Sequence, residues 1–169
     1  MKKTVDAFDY AGHIMKAMSK GILLTTACGD EVNTMTIGWG AMCVEWNKPI
    51  FIAYVRESRY TKEMLEKNGE FTVNIPINGC DSKVLGYCGR MSGRDVNKIK
   101  ELGLTLENSE KIAVPGIKEL PLTLECKVIY QQEQPIDPIP EDAKKIFYPH
   151  GDAHTAYYGE IVNAYLIEE

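Results

Sequence analysis

The chain lacks a long apolar run. It is 44% hydrophobic over 169 residues, yet no stretch approaches the ~20 consecutive apolar residues of a membrane-spanning helix. The N-terminal MKKTVDAFDYAGHIMKAM opens with two lysines but has no continuous apolar core, which argues against a secretory leader. A cysteine framework is missing too. Cys28, Cys43, Cys80, Cys88 and Cys126 are odd in number, scattered, and form no CxxC, so neither a disulfide scaffold nor a zinc or iron–sulfur site is indicated. There is no excess of positive charge. With 19 Lys and Arg against 24 Asp and Glu the formal net charge is −5, which leaves no general footprint for nucleic acid or an anionic membrane. No strand–GxGxxG–helix unit occurs. Gly86 to Gly93 is glycine-rich, but its spacing is wrong and no apolar strand precedes it. Repeats and low-complexity tracts are also absent. The expectation is a soluble cytoplasmic protein with one domain over residues 1–169.

What is present reads mostly as strands. Ala7, Phe8, Ala11, Ile14, Met15 and Met18 give a helical stripe over Ala7–Lys20, which Gly21 stops. Gly21–Ala27 reads as a strand and Cys28–Glu31 as a turn. Thr34–Val44 reads as one strand with Met35, Ile37 and Trp39 on one face. Gly38 and Gly40 within it signal a bulge or a close approach. After a turn at Trp46–Pro49, the apolar run Pro49–Val55 looks buried on both faces. Ser58 or Thr61 is expected to cap a helix through Lys67. Phe71–Ile75 is a strand, and Asp81–Tyr87 and Asp95–Leu102 are short helices. A cleanly alternating strand lies within Glu119–Gln132, and a helical turn over Glu141–Phe147 follows a loop with three prolines. Thr155–Glu168 is the closing strand, with Gly159 at its centre. The tally predicts a mainly β fold with short helices, a closed or nearly closed antiparallel barrel.

Polar residues gather at four places. Arg56, Ser58, Arg59, Thr61 and Lys62 crowd a helix start, where free amides and the helix dipole suit a phosphate; an ordinary solvated cap fits the same residues. Asn33, Thr34, Thr36, Gly38 and Trp39, with Met35 between them, suit the polar edge and face of a heterocycle. They equally describe a half-buried strand with a core Trp. Arg94 and Lys98 add cations near a helix that Asp95 can cap, or simply decorate a surface turn. His154 stands before the last strand, able to face a ligand and to titrate near neutral pH, or to serve as a loop or dimer contact. Gly151 and Asp152 break any helix that would align His150 with His154, so no metal site is expected. Cys43 and Cys126 read as core thiols, and a redox role for Cys88 stays open.

Taken in order, Asn33-Thr34-Met35-Thr36-Ile37-Gly38-Trp39, then Pro49, Arg56-x-Ser58-Arg59-x-Thr61 and Phe71-x-Val73-Asn74 form one set of motifs. Tyr87-Cys88-Gly89-x-x-Ser92-Gly93-Arg94-Asp95-Val96-x-Lys98 and His154 with Gly159-Glu160-Ile161-Val162 form a second. This succession resembles the flavin reductase-like, FMN-binding split-barrel family, in its flavoredoxin-type branch. The resemblance covers nearly the whole chain. It implies a six-stranded antiparallel split β-barrel that forms a homodimer with FMN near the interface. By the same resemblance, Asn33, Thr34, Met35, Thr36, Gly38 and Trp39 would line the flavin. Arg56, Ser58, Arg59 and Thr61 would hold its phosphate, with Arg94 and Lys98 as further anion contacts. His154 would face the ring or a nicotinamide. The implied activity is an oxidoreductase moving hydride or electrons between NADH or NADPH and flavin. The alternative is a non-enzymatic FMN electron carrier serving a redox partner; a flavin- or haem-binding sensor is a third reading.

Overall fold

A computed structural model of the chain describes residues 1–168. In chain order the strands and helices are β1 (Lys2–Thr4), α1 (Ala11–Met18), β2 (Ile22–Cys28), β3 (Glu31–Ile37), β4 (Gly40–Glu45), β5 (Lys48–Arg56), α2 (Tyr60–Asn68) and β6 (Glu70–Ile75). There follow α3 (Ser82–Arg90), α4 (Lys98–Leu102), β7 (Leu106–Glu107), β8 (Gly116–Ile117), β9 (Leu122–Gln134), α5 (Glu141–Phe147) and β10 (His154–Ile167). A 3₁₀ turn at Ala7–Tyr10 leads into α1, so the predicted first helix is two pieces. No helix among the described residues is long and apolar enough to cross a membrane.

The main sheet runs β3-β2-β6-β9-β10-β5-β4, every pairing antiparallel, with β1 added to β10; β7 and β8 pair separately. Its two edge strands, β3 and β4, are consecutive in sequence, with only Gly38 and Trp39 between them. Three Cα steps reach at most about 11 Å, so the sheet must curl until its edges meet. The barrel is therefore closed by the chain itself and not by a ladder, which makes it a split barrel. The path from edge to edge runs through β3, β2, β6, β9, β10, β5 and β4, with β1 added outside it on β10.

This topology corrects the reading of Thr34–Val44 as one strand. The chain crosses from one sheet edge to the other at Gly38–Trp39. A Cβ on Gly40 would stand 2.8 Å from the Ile52 carbonyl oxygen and 3.1 Å from the Met18 methyl, so only glycine passes there. The β4–β5 turn places Trp46 and Asn47 at φ 51 and 57, the geometry of a two-residue hairpin, and leaves Trp46 54% exposed.

Alternation sorts the side chains into three packed groups. Leu24, Met35, Ile37, Phe51, Phe71 and Tyr157 point inward with α1's Ile14 and Met18. Outside β2, Leu23 packs with Cys88, Leu104, Ile117 and Leu120 beneath the α3–α4 segment. Outside β5 and β10, Ile50, Ile52 and Ala156 pack with Ala41, Cys43, Tyr54 and Tyr158, a cluster to which no helix contributes among the described residues.

Candidate functional site

The seam between β3 and β5 gathers the polar residues. Because the groove lies across the split, it takes inward-facing residues from β3 and outward-facing residues from β5 and β10. It has a cationic end, a ring-sized middle and an apolar chamber beyond Trp39.

The cationic end is built on the start of α2. The N-cap is Arg59, whose extended backbone (φ −75, ψ 134) makes no side-chain cap bond, so neither Ser58 nor Thr61 caps this helix. Thr61 Oγ1 instead accepts from Asn33 Nδ2 at 3.0 Å, with both residues buried. The 91–94 loop closes over them: a Cβ on Gly93 would lie 2.3 Å from Asn33 Oδ1. Arg59 donates to the Gly89 carbonyl at 3.0 Å, and Lys98, 4% exposed, donates to the carbonyls of Thr34 and Cys88 at 2.8 and 3.1 Å. Neither cation belongs to an ion pair among the described residues. Burial, with the Arg59 charge adding and Cys88 opposing, pulls the Lys98 ammonium down to about 8. Arg59, Lys98 and Asn33 line a cavity of about 140 Å³. Two cations without counter-ions beside an uncapped helix start fit an anion, and each charge-assisted bond made there contributes roughly 1.5–3 kcal/mol.

Other expected phosphate ligands are committed elsewhere. Ser58 donates through N and Oγ to the Asp152 carboxylate at 2.9 and 2.7 Å, so a fixed anion already occupies it. Burial alone would raise that carboxyl; the Ser58 bonds and the Arg56 charge outweigh it and lower its pKa. Arg56 donates to the carbonyls of Asp152 and Phe147 at 3.0 and 2.9 Å and stacks on Tyr148 and Trp39. Arg94 lines the cavity but pairs with Glu63, donates to the Ser58 carbonyl and lies over the Tyr60 ring. Asn97, not Asp95, caps α4, accepting from the Lys100 amide at 3.0 Å.

Met35, Thr36, Gly38, Trp39, Arg59 and His154 line the middle. The Thr36 hydroxyl is turned to the Leu85 carbonyl at 2.6 Å, so this residue faces the groove mainly with its backbone. Thr34 lines neither cavity. Its hydroxyl points away into a buried network with Thr25 and Asn74 that also holds the Ile117 amide. Asn33 belongs to the cationic end and not to the ring-sized middle.

His154 is the first residue of β10. Its Nδ1 shares a 2.8 Å hydrogen bond with the Tyr148 hydroxyl, and its ring lies 5.0 Å from that of Trp39. Burial and then Arg56, opposed by Asp152, lower its pKa to about 4. It is a neutral imidazole at neutral pH, contrary to the expected titration there. Cys88 is fully buried and its thiol is pushed up to about 11, chiefly by burial. It is a protonated core thiol without the character of a redox nucleophile. Sequence reasoning missed Asp152, Phe147 and Tyr148. The one signal pointing to them was their nearness in the chain to His154.

Beyond Trp39 lies the chamber of about 560 Å³, bounded by α1 and α5. The donor set at one end and the aromatic wall at the other suit a planar cofactor carrying a phosphate. These features define a split barrel whose seam is suited to such a cofactor. Residues 15–169 match the family described as flavin reductase like domain, and the chain belongs to that FMN-binding family. An uncharacterised protein of Archaeoglobus fulgidus is 31% identical over 134 residues, which is 79% of this chain and 65% of that protein, so the chain spans just under two thirds of this relative. The crystal structure of flavoredoxin from Methanosarcina acetivorans is similar with a TM-score of 0.68 at 32% identity, covering 88% of this chain and 68% of that one. An FMN-binding domain of a flavin reductases-like enzyme from Shewanella baltica OS155 has a TM-score of 0.66 over 98% of this chain and 77% of its own, and at 18% identity it speaks to fold alone.

Proposed function

We propose that the chain is an FMN-dependent oxidoreductase that takes hydride from NADH or NADPH. The observation that carries this is the pair Arg59 and Lys98, cations without counter-ions at the uncapped start of α2, next to a ring-sized groove under Trp39 and His154. Arg59, Lys98 and the first amides of α2 would hold the phosphate. Met35, Thr36, Gly38 and Trp39 would border the ring. Bound there, the flavin supplies the hydride and electron chemistry. The protein's own part is to fix the ring, exclude water and keep His154 neutral, so that it presents a hydrogen-bonding edge and no charge. The second reading, an electron carrier, is favoured by the lack of any cation lining the chamber to hold a dinucleotide's pyrophosphate. The similar structure of a flavoredoxin agrees with that reading.

The proposal includes a homodimer through the outer face of β4, β5 and β10. Trp46 is 54% exposed there, and Trp46, Tyr130 and Tyr158 form an aromatic cluster. A two-fold axis lets this apolar centre face its own copy, with the Lys48–Glu160 pair at its margin. Tyr54 belongs to this face and also lines the ring groove, which supports a cofactor site next to that interface.

The test is the absorption spectrum of purified protein, followed by anaerobic addition of NADH or NADPH. Prompt bleaching of a yellow protein supports the reductase, and bleaching only by dithionite or a redox partner supports the carrier. A colourless protein that takes up no FMN sinks both readings. Arg59→Ala should weaken FMN retention at least tenfold, and unchanged retention would put the phosphate elsewhere.

A further inference from the structure

The two cavities on either side of Trp39 differ in chemistry. Arg56, Arg59 and His154 line the ring groove, whereas no Asp, Glu, Lys, Arg or His lines the chamber. Its walls come from Met15 and Met18 of α1, Trp39, Tyr54, Ile139 and Phe147. Trp39 and Phe147 meet edge to face at 5.1 Å, which makes a corner for a flat ring. The two thioethers opposite can adapt to its outline.

Two cations beside the chamber are committed. Arg56 lies behind Trp39 and Tyr148, with two guanidinium nitrogens bonded to the carbonyls of Asp152 and Phe147. Lys144 of α5 is tied to Glu141 at 2.6 Å. The end of α1 that faces the chamber is its C-terminus, at Met18 and Ser19, where the helix dipole is negative. An anion entering would give up water and gain no donor of matching charge. Gly38, Trp39 and Tyr54 are common to the chamber and the ring groove, so an occupant would stand edge-on to whatever ring the groove holds.

We infer that this chamber is a binding subsite for an uncharged, planar aromatic molecule, selected against anionic analogues of the same shape. The inference rests on the proposed function only in making this molecule the flavin's neighbour; the selectivity belongs to the chamber alone.

The test therefore uses FMN-free protein with 2-naphthol and, as its charged counterpart, 2-naphthalenesulfonate. Isothermal titration should show 2-naphthol binding at least tenfold more tightly than the sulfonate. In protein carrying ¹³C-methyl methionine, 2-naphthol should shift the Met15 and Met18 methyl resonances more than those of the other five methionines. Ala143→Trp, on a helix with no buried residue, should fill the chamber and reduce 2-naphthol affinity at least tenfold without changing the melting temperature. Should that variant melt lower, Met15→Trp on α1, half-exposed at the opposite wall, takes its place with the same expected loss. Equal or tighter binding of the sulfonate, unshifted Met15 and Met18 methyls, or undiminished binding in the filled variant would each overturn the inference. Binding of 2-naphthol by a protein that takes up no FMN would leave the inference standing and remove the proposed function instead.

Discussion

The outer face of β2 and β6 lies beneath the α3–α4 segment and the 114–117 segment, whereas among the described residues the outer face of β4, β5 and β10 is covered only at its Tyr54, Arg56 and His154 end, by α5 and Tyr148. The two faces have different inventories. Under the roof, polar side chains are buried and most are hydrogen-bonded, although the Thr123 and Tyr165 hydroxyls beside Gly116 have no partner among the described residues. Asn74 joins Thr25 and Thr72, Ile117 donates to Asn74, and Lys98 reaches the Thr34 carbonyl. On the bare face Ile50, Ile52 and Ala156 are buried by their own neighbours, while the aromatic Trp46, Tyr54, Tyr130 and Tyr158 around them stay partly exposed. The difference shows where each half is completed. The roofed half is finished within the chain and forms one wall of the cavity lined by Arg59 and Lys98; the bare half leaves aromatic side chains open, as the proposed dimer would require.

Truncation under the roof should give the largest effect. Leu23→Ala removes a fully buried side chain between β2 and α3 and should cost about 2–5 kcal/mol, measured by urea denaturation. Ile52→Ala on the bare face should cost clearly less in dilute protein, and equal losses would erase the distinction. Next, Trp46→Glu should shift sedimentation from dimer to monomer, weakening association by about 2 kcal/mol or more. A variant that stays dimeric would move the interface elsewhere.

The seam between the halves carries the third prediction. His154 has a folded-state pKa of about 4 against an ordinary 6.5. Between those values the unfolded chain binds more protons than the folded one. Stability is therefore full above pH 6.5 and declines as pH falls toward 4, by on the order of 2 kcal/mol. His154→Gln should flatten that slope, leaving the acid loss due to Asp152, whose lowered carboxyl pKa acts below its ordinary value of 3.8. An unchanged profile would show that His154 is not held neutral. The smallest effect belongs to Arg94, 41% exposed in its pair with Glu63. Arg94→Ala should change stability by at most about 0.5 kcal/mol and FMN retention less than Arg59→Ala does.

Local pattern carried much of this into the sequence. The long strands and the helices were mostly legible from alternation, helical stripes and glycine stops, because each has one face toward a core, whereas β1, β7 and β8, of two or three residues, are too short to show a period. The crossing at Gly38–Trp39 was not, since Met35, Ile37 and Trp39 keep period two while the chain changes sheet edge. The arginines and Lys98 were legible as cations, but not which of them stay without a counter-ion. Asp152 engages Ser58 from 94 residues away, and Glu63 pairs with Arg94 from the far side of a loop. The chamber was invisible for the same reason, as α1 and α5 meet there only through the curl of the sheet.

The two-residue clasp at Gly38–Trp39 also governs how a guest gets in. Among the described residues β3 is laddered only to β2, and β4 only to β5. Parting the edges there separates side chains and breaks no rung of the sheet. A guest lodged along the seam would therefore meet side chains and no ladder, so its entry would not require any strand to be unzipped.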